Sequence, residues 1–255
     1  MNYKELLLSI AHCFEVEKVL ASKDLVHPCS KIVLSQGSPF QIPEPWNGNL
    51  VFAPILFISS NPSINEEEDY PNHAWEDSHI VNFFENRFQE DQTDDRRVLL
   101  KSGGYSTKVK FWNELRNRTA EILQCAPETV ELGKDFSITE VVHCKSRKNE
   151  GVKESLDFCS QKYLRKILEV SGARLLVVLG KFAKMALISI LEQEGLPSDQ
   201  IFMKPSDFLG HERCLVFLPQ PGSAQKRKFD GCLDKQDFQF LLNWFKKRAS
   251  NVESL

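Results

Sequence analysis

Residues 55–63 read ILFISSNPS, and this stretch is the strongest indication of the fold. Ile55–Ser59 has the apolar character of a buried strand, and it runs directly into Ser60, Asn61 and Pro62. Proline fixes its own φ angle and disfavours helix at the residue before it, so the chain leaves the strand in a turn. An Asn-Pro turn after a strand is common, so Asn61 needs further evidence before it is given a chemical role.

The same strand pattern recurs along the chain and alternates with helical patterns. The four predicted strands lie at residues 50–59, 136–143, 174–179 and 214–218. Apolar residues at helical spacing predict helices at residues 79–88, 108–123, 152–170, 182–194 and 234–248. Continuous apolar strands that alternate with helices indicate a parallel sheet covered on both faces. We therefore predict an α/β protein, a three-layer α/β/α fold around a mainly parallel, four-stranded sheet.

The length and composition indicate one globular unit. A chain of 255 residues can bury a full core, and 42% hydrophobic with 26% charged residues is ordinary for a soluble protein. We predict a single domain over residues 1–255, with an N-terminal helix at 3–22 and a motif-bearing core at about 50–248. We also expect a monomer.

Charge and cysteine content narrow the class of protein. A net charge of −3 excludes a wholly basic coat protein, although phosphate contacts need only a few Lys and Arg residues. No apolar run approaches the roughly 20 residues that span a bilayer, so no membrane partner is expected. Seven cysteines, an odd number, and an N-terminus that reads as an amphipathic helix rather than a signal peptide favour a cytoplasmic protein.

Four segments, in order, resemble the motifs of the uracil-DNA glycosylase superfamily. ILFISSNPS at 55–63 resembles a strand that leads into Gly-Ile-Asn-Pro-Gly, and residues 136–159 resemble a segment written I-T-N-V-V-K-C-R with a second cysteine further on. LLVVLG at 175–180 resembles a strand–Gly–helix step, and VFLPQPGS at 216–223 resembles a strand followed by His-Pro-Ser or Asn-Pro-Ser. The resemblance implies this family's fold and a DNA glycosylase, which flips a base into a pocket and cleaves its N-glycosidic bond.

The resemblance assigns Asn61 to orient the attacking water, with Ser60 and Pro62 beside the base. An amide can align a water molecule but is a poor base, so this role is positioning rather than proton abstraction. The family often has Gly where this chain has Ser59 and Ser60, which leaves the backbone approach to the substrate open.

The resemblance places an aromatic residue that stacks on the flipped base at Tyr70, and a packed core Tyr is the alternative. Asp69 is the acidic residue of the 66–69 run that we expect to act on the substrate. The neighbouring aromatic residues Phe111 and Trp112, which lie in a predicted helix, are interpreted as core packing.

Glu140 and Gln220 depart from the family pattern. Glu140 stands where the family usually has an Asn that pairs with uracil, and an ionised carboxylate only accepts hydrogen bonds. It would suit the exocyclic amine of a cytosine-type base, and the alternative is a Glu that reads no base. Gln220 stands where the family has His or Asn, and it would donate a neutral, weaker hydrogen bond to the leaving base.

Basic residues near the motifs predict DNA contacts. Ser223, Lys226, Arg227 and Lys228 follow the last motif, and Lys145 follows the second predicted strand. Ser and Lys or Arg side chains commonly bind phosphates and fix the position of DNA. A solvated surface loop is the alternative for residues 226–228.

Cys144 and Cys159 match two cysteines that bind an iron–sulfur cluster in some branches of the family. Such a cluster needs four thiolates, and Cys13 and Cys29 are the candidates for the other two, although those branches use a closer pair. Metal-free cysteines are the alternative, and no cofactor is expected to be required for the chemistry.

Three functions remain open. The first is a monofunctional DNA glycosylase for a modified or cytosine-type pyrimidine, such as a hypermodified cytosine in phage DNA, which would be an antiviral defence role. The second is a repair glycosylase for uracil or deaminated bases. The third is a catalytically inactive member of the fold that binds DNA. The partner in each case is DNA, as a duplex with a flipped base or as a single strand.

Overall fold

A six-stranded sheet lies at the centre of the molecule. The computed structural model describes residues 2–38, 40–87, 97–222 and 228–252. The strands are β1 (Trp46–Asn47), β2 (Ile55–Ser59), β3 (Phe136–Glu140), β4 (Leu175–Leu179), β5 (Phe202–Phe208) and β6 (His211–Leu218). The order across the sheet is β1-β3-β2-β4-β6-β5.

Helices connect and cover the strands. They are α1 (Tyr3–Ala11), α2 (Phe14–Ser22), α3 (Ser30–Leu34), α4 (Asp77–Asn86), α5 (Lys110–Leu123), α6 (Val152–Val170), α7 (Gly180–Gln193), α8 (Phe229–Cys232) and α9 (Lys235–Val252), with a 3₁₀ turn at Pro127–Thr129. In the described ranges, no helix has both the length and the apolar content needed to cross a bilayer.

The four central strands are parallel, as predicted, and two antiparallel strands extend the sheet at its edges. β2 pairs in parallel with β3 and β4, and β4 pairs in parallel with β6. The edge strand β1 has only two residues. The other edge strand, β5, carries Pro205 within a shift of register between Met203 and Ser206. Proline cannot donate to a ladder and is confined to edges and bulges, which is why the sequence pattern gave no strand here.

Side chains alternate between the two faces of the sheet, and each face is buried. From β2, Leu56 and Ile58 pack into a core with α1, α6 and α7, whereas Ile55 and Phe57 pack into a second core with α5 and α9. A strand places successive side chains on opposite faces, so a run that is apolar throughout needs a cover on both sides. The predicted three-layer α/β/α architecture is confirmed.

The predicted helix at 3–22 is two helices, α1 and α2, separated at His12 and Cys13. Cys13 has φ −59° and ψ 113°, which lies outside the helical region. The Tyr163 hydroxyl group lies 3.1 Å from the carbonyl oxygen of Ser9 and 3.2 Å from Cys13 Sγ. The break therefore turns the thiol of Cys13 towards α6 and buries it.

Candidate active site

A cleft of about 270 Å³ lies at the carboxyl ends of the parallel strands. Asn61 follows β2, Glu140 ends β3 and Gln220 follows β6, and all three residues line this cleft. Parallel strands bring their carboxyl ends to one edge of the sheet, which is where open α/β sheets bind ligands. The volume is slightly below the roughly 300–1,000 Å³ of sites for drug-sized molecules, so it suits a small ligand.

The loops after β2 and β3 are joined by hydrogen bonds beyond the ends of the strands. Val142 N donates to Ser60 O at 2.9 Å, and Ser146 N donates to Pro62 O at 3.0 Å. This extension of the pairing fixes the backbone around Asn61. It also brings Ser146, which the sequence motifs did not single out, next to the Asn61 side chain.

The Asn61 amide has a defined orientation. Its Nδ2 donates to Pro62 O at 3.0 Å and to Ser146 Oγ at 2.7 Å. A carbonyl oxygen can only accept, so the nitrogen must face Pro62 and the oxygen Oδ1 faces the other way. Oδ1 accepts a hydrogen bond from Ser60 Oγ at 3.2 Å. A carbonyl oxygen has a second lone pair, which can accept a hydrogen bond from a water molecule in the cleft.

Gly180, at the start of α7, makes room for Gln220. Its φ is +80°, and a Cβ at this position would lie 2.8 Å from Gln220 Oε1 and 3.3 Å from Gln220 Cβ. Only glycine combines this backbone conformation with such a close approach. Gly180 therefore sets the position of the glutamine side chain on the wall of the cleft.

Glu140 is buried, with 3% of its surface exposed, although it lines the cleft. Its Oε1 accepts from Ser59 Oγ at 3.4 Å, and its Oε2 has no hydrogen-bond partner among the described residues. Burial, followed by the charge of Glu44, raises the pKa of Glu140 well above its usual value. A raised pKa favours the protonated carboxyl group, which can both donate and accept, whereas the sequence-based interpretation took Glu140 as an ionised acceptor.

A buried ionic network forms the floor of the cleft. Arg87 NH1 lies 3.2 Å from Glu44 Oε2, Arg87 NH2 pairs with Glu68, and Lys145 Nζ lies 3.2 Å from Glu68 Oε2. Burial acts to raise the pKa of Glu44, but Arg87 and Lys145 outweigh it and lower the pKa below the usual value. Burial also lowers the pKa of Lys145, against the effect of Glu68 and Glu44. The two carboxylates and two cations compensate each other inside the protein.

Lys145 belongs to this network, so its predicted role in DNA binding needs revision. It is 1% exposed, and its Nζ lies 3.5 Å from the centre of the Tyr70 ring. An ammonium group in this position contacts Glu68 and an aromatic face and is turned away from the surface, where DNA phosphates would lie. Its place in the cleft wall favours a structural or substrate-facing role.

Tyr70 and Asp69 do not line the cleft. The Tyr70 hydroxyl donates to Glu44 Oε2 at 3.0 Å, and its ring packs edge-on against Phe83 and Phe84. Asp69 is half-buried, whereas its neighbour Glu68 lines the cleft. The aromatic side chains that do line the cleft are Phe111 and Trp112 of α5. The prediction that they pack in the core is also confirmed, because Trp112 is buried in the second core and Phe111 packs against it.

Of the predicted DNA contacts near the last motif, Lys228 is exposed immediately before α8. Ser223, Lys226 and Arg227 lie outside the described residues. Ser60 and Pro62, predicted to lie beside the base, both line the cleft.

Four cysteines from distant parts of the chain line a second, smaller cavity. Cys13, Cys29, Cys144 and Cys159 surround about 10 Å³ of space together with His143 and Tyr163. Burial, and then the neighbouring Cys13, raise the pKa of Cys29 to about 11, and burial raises that of Cys144. No three His, Cys, Asp or Glu side chains in the described ranges are gathered as a ready metal site, so the thiols surround the space without meeting at one centre.

Comparison with known families gives one result that covers most of the chain. A family model described as the uracil DNA glycosylase superfamily matches residues 45–246. The matched region contains the whole sheet and every residue of the cleft described above except Glu44. No curated protein matches the chain.

Proposed function

The chain belongs to the uracil DNA glycosylase superfamily, and from this we propose that it is a monofunctional DNA glycosylase that flips one base out of DNA and hydrolyses its N-glycosidic bond. The product would be an abasic site. The observation that carries this proposal is that the oriented amide of Asn61 and the side chain of Gln220 line the same base-sized cleft.

In this mechanism the cleft holds the flipped base, and the sugar carbon C1′ lies near Asn61. Asn61 Oδ1 accepts a hydrogen bond from a water molecule and aims its oxygen at C1′, which becomes cationic as the bond to the base breaks. Gln220 donates a hydrogen bond to the departing base. Burial of the surrounding groups excludes bulk water and strengthens these interactions.

The aromatic wall supports the binding of a flat ligand. Phe111 and Trp112 provide an apolar surface on which a base can stack, and stacking on one such side chain is worth about 1–3 kcal/mol. We therefore transfer the stacking role from Tyr70 to this pair. Tyr70 instead holds Glu44 and supports the ionic floor.

We propose a cytosine-type or modified pyrimidine as the substrate. Cytosine presents a ring-nitrogen acceptor beside an exocyclic amine donor, and the neutral acid of Glu140 offers the complementary donor and acceptor. A hypermodified cytosine in phage DNA, and hence a defence role, is the specific form of this proposal. Uracil can pair with the same acid if donor and acceptor exchange places, so repair of uracil or deaminated bases is the competing substrate.

A panel of duplexes tests the function and the substrate together. Each duplex carries one altered base, the protein is added in excess, and alkali then cleaves any abasic site. We expect cleavage at cytosine-type bases that is faster than cleavage at uracil. Faster cleavage at uracil would support the repair function, and binding without cleavage on every duplex would indicate an inactive DNA-binding member.

The remaining features of the proposal concern the whole protein. Two apolar cores share one sheet, which supports a single domain over residues 1–255. The exposed Lys228 supports a phosphate contact beside the cleft, together with Ser223, Lys226 and Arg227 next to it in sequence. A cytoplasmic monomer acting on duplex or single-stranded DNA completes the proposal.

We also infer that Cys13, Cys29, Cys144 and Cys159 hold an iron–sulfur cluster. Four thiolates are the ligand set of such a cluster, and these four thiols line one cavity although they are up to 146 residues apart in sequence. The cavity of about 10 Å³ is smaller than such a cluster, so the thiols would have to move apart and turn towards a common centre. The cluster would order the N-terminal helices against α6, and the chemistry in the cleft would not pass through it.

Purification without oxygen tests the cluster. We expect a brown protein with charge-transfer absorbance and about four irons per chain. Cys144→Ser should lose the colour and the iron, whereas Cys214→Ser, at a buried thiol in β6, should keep both. A colourless, iron-free wild-type protein after reconstitution with iron and sulfide would contradict the inference.

Gly180→Ala is expected to impair cleavage through Gln220. The substitution strains a backbone at φ +80° by about 1 kcal/mol and pushes the new Cβ into Gln220. A small displacement of a positioned group can lower the rate about tenfold or more. Gly210→Ala is the matched control, because Gly210 has φ +78° and nothing within 4 Å of its Cβ position.

Both variants should lose similar stability in thermal unfolding, and only Gly180→Ala should lose cleavage rate. Equal rates for the two variants would mean that the contact with Gln220 has no part in catalysis.

A further inference from the structure

Glu140 is the one acidic side chain of the cleft that lacks a cation of its own among the described residues. Glu44 and Glu68, the other two buried acids of the cleft, both contact Arg87, and Glu68 also contacts Lys145. Glu140 accepts a single described hydrogen bond, from Ser59, and that bond is long at 3.4 Å. Two kinds of carboxyl group therefore share this cleft. Glu44 and Glu68 form ion pairs with neighbouring cations, whereas Glu140 forms none with the described residues.

The unpartnered oxygen of Glu140 indicates a ligand. Oε2 is buried and has no partner within the described part of the chain. Leaving a buried polar atom unpaired costs about 1–3 kcal/mol, so such an atom needs a partner, and a ligand in the cleft would supply one. Glu140 lines the cleft at the end of β3, opposite the loop that carries Gln220 across the sheet.

The surroundings of Glu140 raise its pKa, which favours the protonated carboxyl group. The charged and titratable groups that act on it are Glu44 before β1, Arg87 after α4 and Lys145 after β3. Burial and Glu44 raise its pKa, while Arg87, the Ser59 hydrogen bond and Lys145 oppose them to a smaller extent. Environments that separate the protonation of two nearby carboxyl groups commonly mark one as an acid catalyst.

We propose that Glu140 is a general acid, which donates its proton to the ring nitrogen of a leaving pyrimidine that carries an exocyclic amine beside that nitrogen. This inference rests on the proposed glycosylase function and deepens it. It gives Glu140 a catalytic role in addition to base recognition. It also gives a reason for the substrate class, because a pyrimidine without an acceptor at that nitrogen cannot receive the proton there.

The step balances as follows. The Glu140 O–H bond breaks, its proton binds the ring nitrogen, and the base becomes cationic while Glu140 becomes a carboxylate. The glycosidic bond, which joins a different ring nitrogen, N1, to C1′, then breaks. Its electron pair goes to the base, and the base leaves as a neutral molecule. The water held by Asn61 adds to C1′ and releases a proton to solvent, and Glu140 is reprotonated from solvent after the base departs.

Proton donation by Glu140 compensates for the weak donor at the opposite side of the cleft. Gln220 can offer only a neutral hydrogen bond to a departing base. A cytosine-type base without added proton leaves as a poorly stabilised anion, whereas uracil delocalises its negative charge over two carbonyl groups. General acid catalysis typically contributes about 10²–10⁴-fold.

Glu140→Gln separates proton transfer from recognition. The glutamine amide keeps one donor and one acceptor in the same shape, so it can pair with the same base edge but cannot give up a proton. We expect single-turnover cleavage of a cytosine-type duplex to fall by about 100-fold or more. Cleavage of a uracil duplex should fall less than tenfold, and affinity for a duplex with a 2′-fluoro nucleotide that resists cleavage should be unchanged.

The pH profile is a second readout that does not depend on the variant folding well. Wild-type cleavage of the cytosine-type duplex should decline as pH rises through the raised pKa of Glu140, because the acid must be protonated. The residual cleavage by Glu140→Gln should not show this decline on the basic side of the pH profile.

The outcomes separate this inference from the proposed function. A wild-type protein that cleaves a cytosine-type duplex with a flat basic limb, or equally well as Glu140→Gln, overturns proton donation and leaves the glycosylase function in place. A protein that cleaves only the uracil duplex also overturns proton donation by Glu140 and leaves the glycosylase function in place. A protein that cleaves none of the duplexes overturns both.

Discussion

Asn61→Ala is expected to lower single-turnover cleavage by about 100-fold or more and to leave DNA affinity nearly unchanged. The expected loss follows from geometry, because Asn61 Oδ1 is fixed by the bonds of Nδ2 to Pro62 and Ser146. Alanine removes the acceptor that we propose aims the water, and a misplacement of about 1 Å at a reacting centre can cost about 10²-fold. The measurement is the rate of abasic-site formation with protein in excess, beside the dissociation constant of a non-cleavable duplex.

Two further variants control this experiment. Asn65→Ala removes another Asn of the same cleft, whose Oδ1 only accepts from Glu67 N in a turn, and it should stay within a few-fold of wild type. Ser146→Ala removes one of the two hydrogen bonds that hold the Asn61 amide. Its cleavage rate should therefore lie between the rates of Asn61→Ala and Asn65→Ala. If Asn61→Ala cleaves as fast as Asn65→Ala, Asn61 does not position the water.

Arg87→Met is expected to lower the free energy of unfolding by about 3–5 kcal/mol, the range observed when one partner of a buried ion pair is removed. Methionine fills part of the volume, but it leaves Glu44 and Glu68 buried, with Lys145 as the one cation that the described residues place beside them. For a protein of this size the melting temperature should fall by about 10 °C. Arg165→Met is the control, because its pairs with Glu169 and Glu194 are partly exposed and worth about 0–1 kcal/mol.

Two additional measurements identify the cause of this loss. In the wild type the pKa of Glu44 is lowered, so its contribution to stability is present above the usual Glu pKa and is lost as pH falls through the lowered value. Without Arg87 the pKa rises, and the deficit of Arg87→Met should therefore shrink as pH is lowered. Adding Glu68→Gln should restore part of the stability at neutral pH. A deficit independent of pH and unchanged by Glu68→Gln would mean lost packing rather than lost charge compensation.

The fold could be predicted from the sequence because its signals are local. The apolar runs of β2 and β4 and the periodicity of α6 each specify an element, and the predicted helix at 152–170 has the observed bounds. The edge strands could not be predicted, because β1 has two residues and β5 contains Pro205, which has no N–H for a ladder. The N-terminal break at Cys13 depends on a contact with Tyr163, 150 residues away.

The candidate site was predictable where it follows strand ends and unpredictable where it depends on three-dimensional packing. The placement of Asn61, Glu140 and Gln220 at one edge follows from parallel strands. Whether Glu68 or Asp69, and whether Trp112 or Tyr70, lines the cleft depends on which way each side chain faces in a loop or helix that packs from outside the sheet. The protonation of Glu140 depends on burial and on Glu44, 96 residues away in sequence.

Asn61, Glu140 and Gln220, which meet in the cleft, follow one another at intervals of about 80 residues along the chain, each at or just after the carboxyl end of a different strand. During synthesis the ribosome releases Asn61 and Glu140 long before Gln220, and β6 is the last of the six strands along the chain. A prematurely terminated or proteolytically shortened polypeptide that ends before β6 therefore carries no assembled cleft. Such fragments should leave the genome of the cell untouched, so any capacity to damage DNA would be acquired only with the nearly complete polypeptide.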